Sequence, residues 1–128
     1  MIVSIDLAPL PPRSAACYMR FTPRREMDIA VAGSGAVVRL DGDGRIAGAR
    51  IVLASVAPTP LTATAAAAVL LGERPSAALF AEAGARAARE ARPISDTRGS
   101  AEYRRELARV LTYRALARCA QELGSSLT

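Results

Sequence analysis

The chain has no histidine, no lysine and no tryptophan, only two cysteines, and 4% aromatic residues among 128 positions. Without histidine, the side chain that most often acts as general base or metal ligand near neutral pH is missing. Cys17 and Cys119 cannot by themselves supply a four-cysteine zinc site or an iron–sulfur cluster. They are also too far apart in sequence for a CxxC redox pair. Two small buried thiols are expected, with a Cys17–Cys119 disulfide as the alternative. The scarcity of aromatics removes the stacking platform on which single-stranded nucleic acid is held.

Long apolar runs are missing too. The longest, residues 65–71, falls far short of the roughly 18–20 needed to span a bilayer. The opening Met1-Ile2-Val3-Ser4-Ile5-Asp6 carries an acid and no basic flank, unlike a secretion signal. A soluble, cytoplasmic chain without membrane contact is expected.

What is present is charge, all of one kind on the basic side. The formal net charge is +5, and all 17 basic residues are arginine. Residues 1–60 carry 7 Arg against 5 acids and residues 61–128 carry 10 against 7, so neither half is a polarised block. Arginine and alanine standing in for lysine and asparagine fit a GC-rich coding background. Solvated helix faces account for most of these arginines, and no nucleic-acid partner is expected.

The pattern along the chain is strands first and helices afterwards. Residues 2–7 alternate loosely and read as a strand or extended arm, stopped by Pro9, Pro11 and Pro12. Residues 17–22 form a strand candidate, followed by a charged loop. Two Val- and Ile-rich strands are expected at about 29–40 and 45–56. Asp41-Gly42-Asp43-Gly44 between them is a hairpin signal. Gly33 and Gly35 predict a bulge or a close backbone approach in the first of these strands.

Helices are expected at about 62–71, ended by Gly72, at about 77–91, capped by Ser76, and at about 101–123, capped by Ser100. In the second, Phe80, Ala83, Gly84, Ala87 and Ala91 share an arc opposite Glu82, Arg86, Arg89 and Glu90. In the third, Leu107, Ala108, Leu111, Ala115 and Cys119 face away from Glu102, Arg105, Glu106 and Arg109. Arg104 alone breaks that pattern, falling inside the apolar arc. A buried arginine needs a carboxylate, and Asp96 or Asp28 is the candidate partner. The fold class is therefore α+β, a small antiparallel sheet of about three strands packed with three helices. The division expected is an arm and proline-rich linker at 1–16, a domain at 17–123 and a frayed tail at 124–128.

Two short motifs fail on inspection. Gly33-Ser34-Gly35 lacks the third glycine of a dinucleotide fingerprint and runs into β-branched residues instead of a helix. The Asp41 turn would need an acid at its twelfth position to be a calcium loop, and that position is Val52. Two clusters remain. The first, from Tyr18-Met19-Arg20-Phe21 through Arg24-Arg25-Glu26-Met27-Asp28, puts three arginines in and beside one turn. They could face an anion such as a pyrophosphate or a flavin edge, or Arg24 or Arg25 could pair with Glu26 or Asp28 to hold the turn. The second is Asp96-Thr97-Arg98-Gly99-Ser100-Ala101-Glu102-Tyr103-Arg104-Arg105, where a structural latch around Arg104 is expected.

In this order, with Val56-Ala57-Pro58-Thr59-Pro60 between them, the clusters resemble the C-terminal domain of the FAD-binding (medium) subunit of molybdenum hydroxylases. These are the carbon monoxide dehydrogenase and xanthine dehydrogenase type of enzyme. Ile2-Val3-Ser4-Ile5-Asp6-Leu7 and its prolines look like the strand and linker leading into that domain.

The resemblance implies an oxidoreductase subunit in which electrons pass from two [2Fe–2S] clusters through FAD to an acceptor. It implies a basic residue of the first strand near FAD. That position is Arg20 here, where the family more often has lysine, and the Arg24 and Arg25 turn would lie near the flavin. The implied partners are N-terminal FAD-binding domains and the molybdenum and iron–sulfur subunits, with self-association open for the isolated chain. No segment here matches the family's glycine-rich FAD-binding stretches, so FAD would be held mainly by other domains. No metal is expected in this chain. One wall of the site is expected, and no complete catalyst. The alternative is a subunit-docking module without cofactor contact.

Overall fold

The computed structural model describes residues 1–125. Four strands form one antiparallel sheet in chain order: β1 (Ser14–Phe21), β2 (Ala32–Leu40), β3 (Ile46–Ala54) and the two-residue β4 (Leu61–Thr62). Three helices follow, α1 (Thr64–Ala68), α2 (Ala77–Glu90) and α3 (Ala101–Glu122). The α+β class expected from the sequence is the observed one, with β4 as a short addition to the sheet. None of the three helices is long and apolar enough to cross a membrane.

Local chemistry explains the elements. The β2–β3 turn is closed by Asp41, whose carboxylate accepts from the amides of Asp43 and Arg45, both at 2.9 Å. Gly44 supplies the positive φ, +77°, that the turn requires. The Ser76 hydroxyl accepts from the Leu79 amide at 3.2 Å to start α2, and Ser100 accepts from Tyr103 at 3.1 Å to start α3.

The expected helix at 62–71 is much shorter. Residues 61–62 pair with Val52 and Leu53 of β3, and only α1 is helical. With no side-chain cap of its own, α1 borrows one: Glu90 at the end of α2 accepts from the amides of Ala65 and Ala66 at 3.3 and 2.9 Å. Of the two readings of residues 2–7, a strand or an extended arm, the strand does not form. Those residues carry no regular structure, and Ile2, Val3, Ile5 and Leu7 are exposed. The expected tail at 124–128 lies partly outside the described residues.

Alternation in the strands decides which sheet face is covered. Ala15, Ala36, Val38, Ile51 and Leu53 point inward and are buried with Phe80 of α2 and Ala108, Leu111, Ala115, Leu116 and Cys119 of α3. The expected arc of α2 is buried, as is that of α3 except for half-buried Leu107, and Thr112, Leu116 and Ala120 join the latter. Thr112 is tolerated there because its hydroxyl pairs with that of Ser34 at 2.9 Å, both side chains being fully buried. Cys17 and Cys119 are both free thiols, and burial pushes the Cys119 pKa up to about 12.

Candidate functional site

Among the described residues, no helix covers the outer face of the sheet. Tyr18 and Arg20 project from β1 on this side and are exposed, whereas Cys17, Met19 and Phe21 pack toward the core. The register sets Tyr18 opposite Gly35 and Arg20 opposite Gly33. With no side chain on either glycine, the Tyr18 ring lies down over β2. A β-carbon at Gly33 would come within 2.5 Å of the Tyr18 hydroxyl, and one at Gly35 within 3.6 Å of its ring. What comes close at these glycines is the Tyr18 side chain, and the irregularity in β2 pairing falls between Arg39 and Leu40, not at the glycines where the sequence predicts a bulge or a close backbone approach. A shallow open cavity of about 410 Å³ lies on part of this face, bounded by Ala16, Tyr18, Gly35, Val37, Arg50 and Val52; Arg20 and Gly33 lie outside its lining.

The strand bearing Arg20 runs directly into the loop of residues 22–30. At the base of this loop the Val31 amide donates to the Phe21 carbonyl at 2.9 Å. Inside it, the Asp28 carboxylate accepts from the amides of Arg24 and Ile29 at 3.0 and 2.8 Å and from the Arg24 guanidinium at 3.5 Å. Partial burial of Asp28 opposes ionisation, but the Ile29 and Arg24 amides and the Arg24 charge outweigh it and hold its pKa below the ordinary value. Of the three arginines expected to meet a ligand, Arg24 is thus turned onto Asp28. Arg20 and Arg25 are exposed and make no ion pair among the described residues. Met27, at a positive φ of 50°, and Ile29 are exposed apolar side chains on the same loop.

The Arg104 latch expected from the sequence is present. Arg104 is 6% exposed, and its Nη2 donates to both Asp96 carboxylate oxygens at 2.7 Å. Its Nη1 donates to the carbonyls of Val31 at 2.9 Å and Ser55 at 3.3 Å. Asp96 is prepared for this by its own turn: its amide and carbonyl exchange hydrogen bonds with Gly99, and its carboxylate accepts from the Arg98 amide at 2.8 Å. The Arg98 amide first and the Arg104 guanidinium second lower the Asp96 pKa.

Sequence reasoning missed Tyr18 as a surface feature and Val31 as a latch acceptor. Tyr18 had a signal, an outward position in β1 facing two glycines across the strand pair. Val31 had none, because a backbone carbonyl has no identity in a sequence.

These features can be set against known proteins. Residues 17–119 match the family model described as CO dehydrogenase flavoprotein C-terminal domain. The chain is 36% identical over 110 residues to the carbon monoxide dehydrogenase medium chain of Afipia carboxidovorans, covering 86% of this chain and 38% of that one. It is 30% identical over 118 residues to the 6-hydroxypseudooxynicotine dehydrogenase complex subunit alpha of Paenarthrobacter nicotinovorans, covering 92% and 40%. A solved carbon monoxide dehydrogenase from Hydrogenophaga pseudoflava, lacking the Mo-pyranopterin moiety of its molybdenum cofactor, matches with a TM-score of 0.79. That match is at 35% identity over 87% of this chain and 39% of that chain. The chain therefore spans about two-fifths of the length of the curated relatives it matches. It belongs to the CO dehydrogenase flavoprotein C-terminal domain family, the C-terminal domain of the FAD-binding subunits of molybdenum hydroxylases.

Proposed function

We propose that this chain forms one wall of the FAD site in a molybdenum hydroxylase, a subunit that relays electrons from [2Fe–2S] clusters to an acceptor. The observation that carries the reading is the uncovered sheet face, where Tyr18 and Arg20 stand side by side and the 22–30 loop begins at the same end. The residues fit one side of a planar, phosphate-bearing group: an exposed aromatic ring lying over two glycines, next to a guanidinium that makes no ion pair among the described residues. When bound, the flavin supplies the redox chemistry; this chain's residues position it and exclude water.

In this reading Arg20 and Arg25 face the cofactor directly. Arg24 acts in part through Asp28, which shapes the loop. N-terminal FAD-binding domains hold most of the flavin, and molybdenum and iron–sulfur subunits complete the electron path in the cytoplasm. The test is to supply those FAD-binding domains and measure FAD retention with Arg20→Ala. Loss of one charge-assisted contact predicts about tenfold weaker retention or more. Unchanged retention and an unchanged rate of flavin reduction would remove Arg20 from the site.

Exposed Met27 and Ile29 support a second reading, docking onto partner subunits without cofactor contact. There, Met27→Ser with Ile29→Ser weakens assembly while Arg20→Ala leaves FAD retention unchanged.

A further inference from the structure

Both stems of the 22–30 loop are gripped by consecutive residues of one helical turn. The Phe21 ring, at the outgoing stem, meets the Tyr103 ring edge-on with centroids 6.2 Å apart. The Val31 carbonyl, at the returning stem, accepts from Arg104 at 2.9 Å. Gly99 fits between the two: a β-carbon there would come within 3.1 Å of the Tyr103 ring and 3.7 Å of the Val31 side chain. The same guanidinium holds Ser55, at the end of β3 and itself at a positive φ of 62°, and Asp96 in the turn before α3. A planar fork that reaches three separate segments fixes their relative positions in a way that a flexible ammonium does not.

We propose that Arg104 is a positioning residue: with Tyr103 it mounts the 22–30 loop on α3 and keys it to the Asp96 turn. The mount is defined by these contacts alone, and only its consequence for the flavin rests on the function proposed above. Arg104 is buried, and both of its Nη atoms are engaged by the protein, which places it outside direct ligand contact. Its effect is to decide where those side chains stand.

Hydrogen exchange on the full chain tests this, because the loop's closure is reported by individual amides. Arg104→Lys is expected to speed exchange at Arg24, Ile29 and Val31 by about tenfold or more, leaving Ala36 and Ile51 in the middle of the sheet unchanged. Asp96→Asn, a milder change at an exposed partner, is expected to do the same to a smaller degree, and serves if Arg104→Lys does not fold. Leu116→Ala, a core substitution, is the comparison, since general destabilisation accelerates exchange across the sheet without singling out the loop. Loop amides that keep their rates in Asp96→Asn, or that change only in step with the sheet as in Leu116→Ala, would overturn the proposal. With the FAD-binding domains supplied, Arg104→Lys should also weaken FAD retention. Loop amides that loosen while neither Arg104→Lys nor Arg20→Ala affects FAD would uphold the mount and reject the flavin reading.

Discussion

The hydroxyl of Tyr18 lies over Gly33 so closely that a β-carbon on residue 33 would be 2.5 Å from it. The atom in the way is the tip of a side chain that is 58% exposed, free to swing out over solvent. Gly33→Ala is therefore expected to change stability by no more than about 0.5 kcal/mol, the range of substitutions that spare the core. It should nevertheless lift the ring off β2. Urea unfolding checks the first part, and loss of NMR contacts between the Tyr18 ring and Gly35 checks the second. A large loss of stability with the ring still in place would show that Tyr18 is anchored more firmly than its exposure implies.

Gly84 is the opposite case. A β-carbon there would sit 2.7 Å from the carbonyl oxygen of Arg109, backbone of the neighbouring helix that cannot rotate away. The gain in helix propensity from Gly84→Ala is about 1 kcal/mol. Forcing α2 and α3 apart costs about 3 kcal/mol, the upper part of the usual range for overpacking. The net expectation is a loss of about 2 kcal/mol in urea unfolding. A stabilised variant would mean that the two helices separate at little cost.

Thr112→Val retains the shape of a fully buried side chain but leaves the Ser34 hydroxyl without its partner at 2.9 Å. A buried hydroxyl stranded in this way costs about 1–3 kcal/mol. Adding Ser34→Ala removes the stranded group, so the double variant should be more stable than Thr112→Val alone. Simple additivity in a double-mutant cycle would show that the hydroxyl pair has no coupling.

The response to pH follows from the carboxylates. Asp28, Asp41, Glu82, Asp96 and Glu106 all have lowered pKa values, and the chain has no histidine. In the unfolded chain these groups take up protons more readily than in the folded one, so stability rises with pH where they titrate. Their contribution is complete above about pH 5 and is lost as pH falls from the unfolded values, near 3.8 for Asp96, through the folded ones. Unfolding midpoints should therefore stay level from about pH 5 to 8, where no side chain present has its ordinary pKa. Asp96→Asn should flatten part of the acid limb. An acid limb identical to that of the unaltered chain would exclude Asp96 as a contributor.

Periodic features were legible in the sequence because periodicity is itself the cause of burial. The Val- and Ile-rich runs of β2 and β3, the Phe80–Ala83–Ala87 face of α2 and the caps Ser76 and Ser100 each follow from the placement of apolar and hydroxyl residues. Arg104 was legible as an anomaly: an arginine inside an apolar arc must find a carboxylate, and Asp96 was one of two candidates. The brevity of α1 was not legible, because an alanine-rich run suits a helix and nothing nearby shows Leu61 and Thr62 being drawn into the sheet. Nor was the cap on α1, since Glu90 lies 24 and 25 positions away from the amides it holds.

Sequence by itself determined the α+β class, the all-arginine charge without a polarised block, and the family, through ordered motifs around Arg20, Arg24 and Asp96. Only the tertiary structure decided that Asp96, and not Asp28, meets Arg104, and that Asp28 instead holds Arg24. It also decided that Tyr18 lies across Gly33 and Gly35, and that Phe21 and Val31 are gripped by Tyr103 and Arg104. The physical reason is common to all of these. Which carboxylate an arginine reaches, and which carbonyl it finds on the way, depends on loop paths and strand register. Those are set when the sheet and α3 pack together, and no local pattern in the chain encodes them.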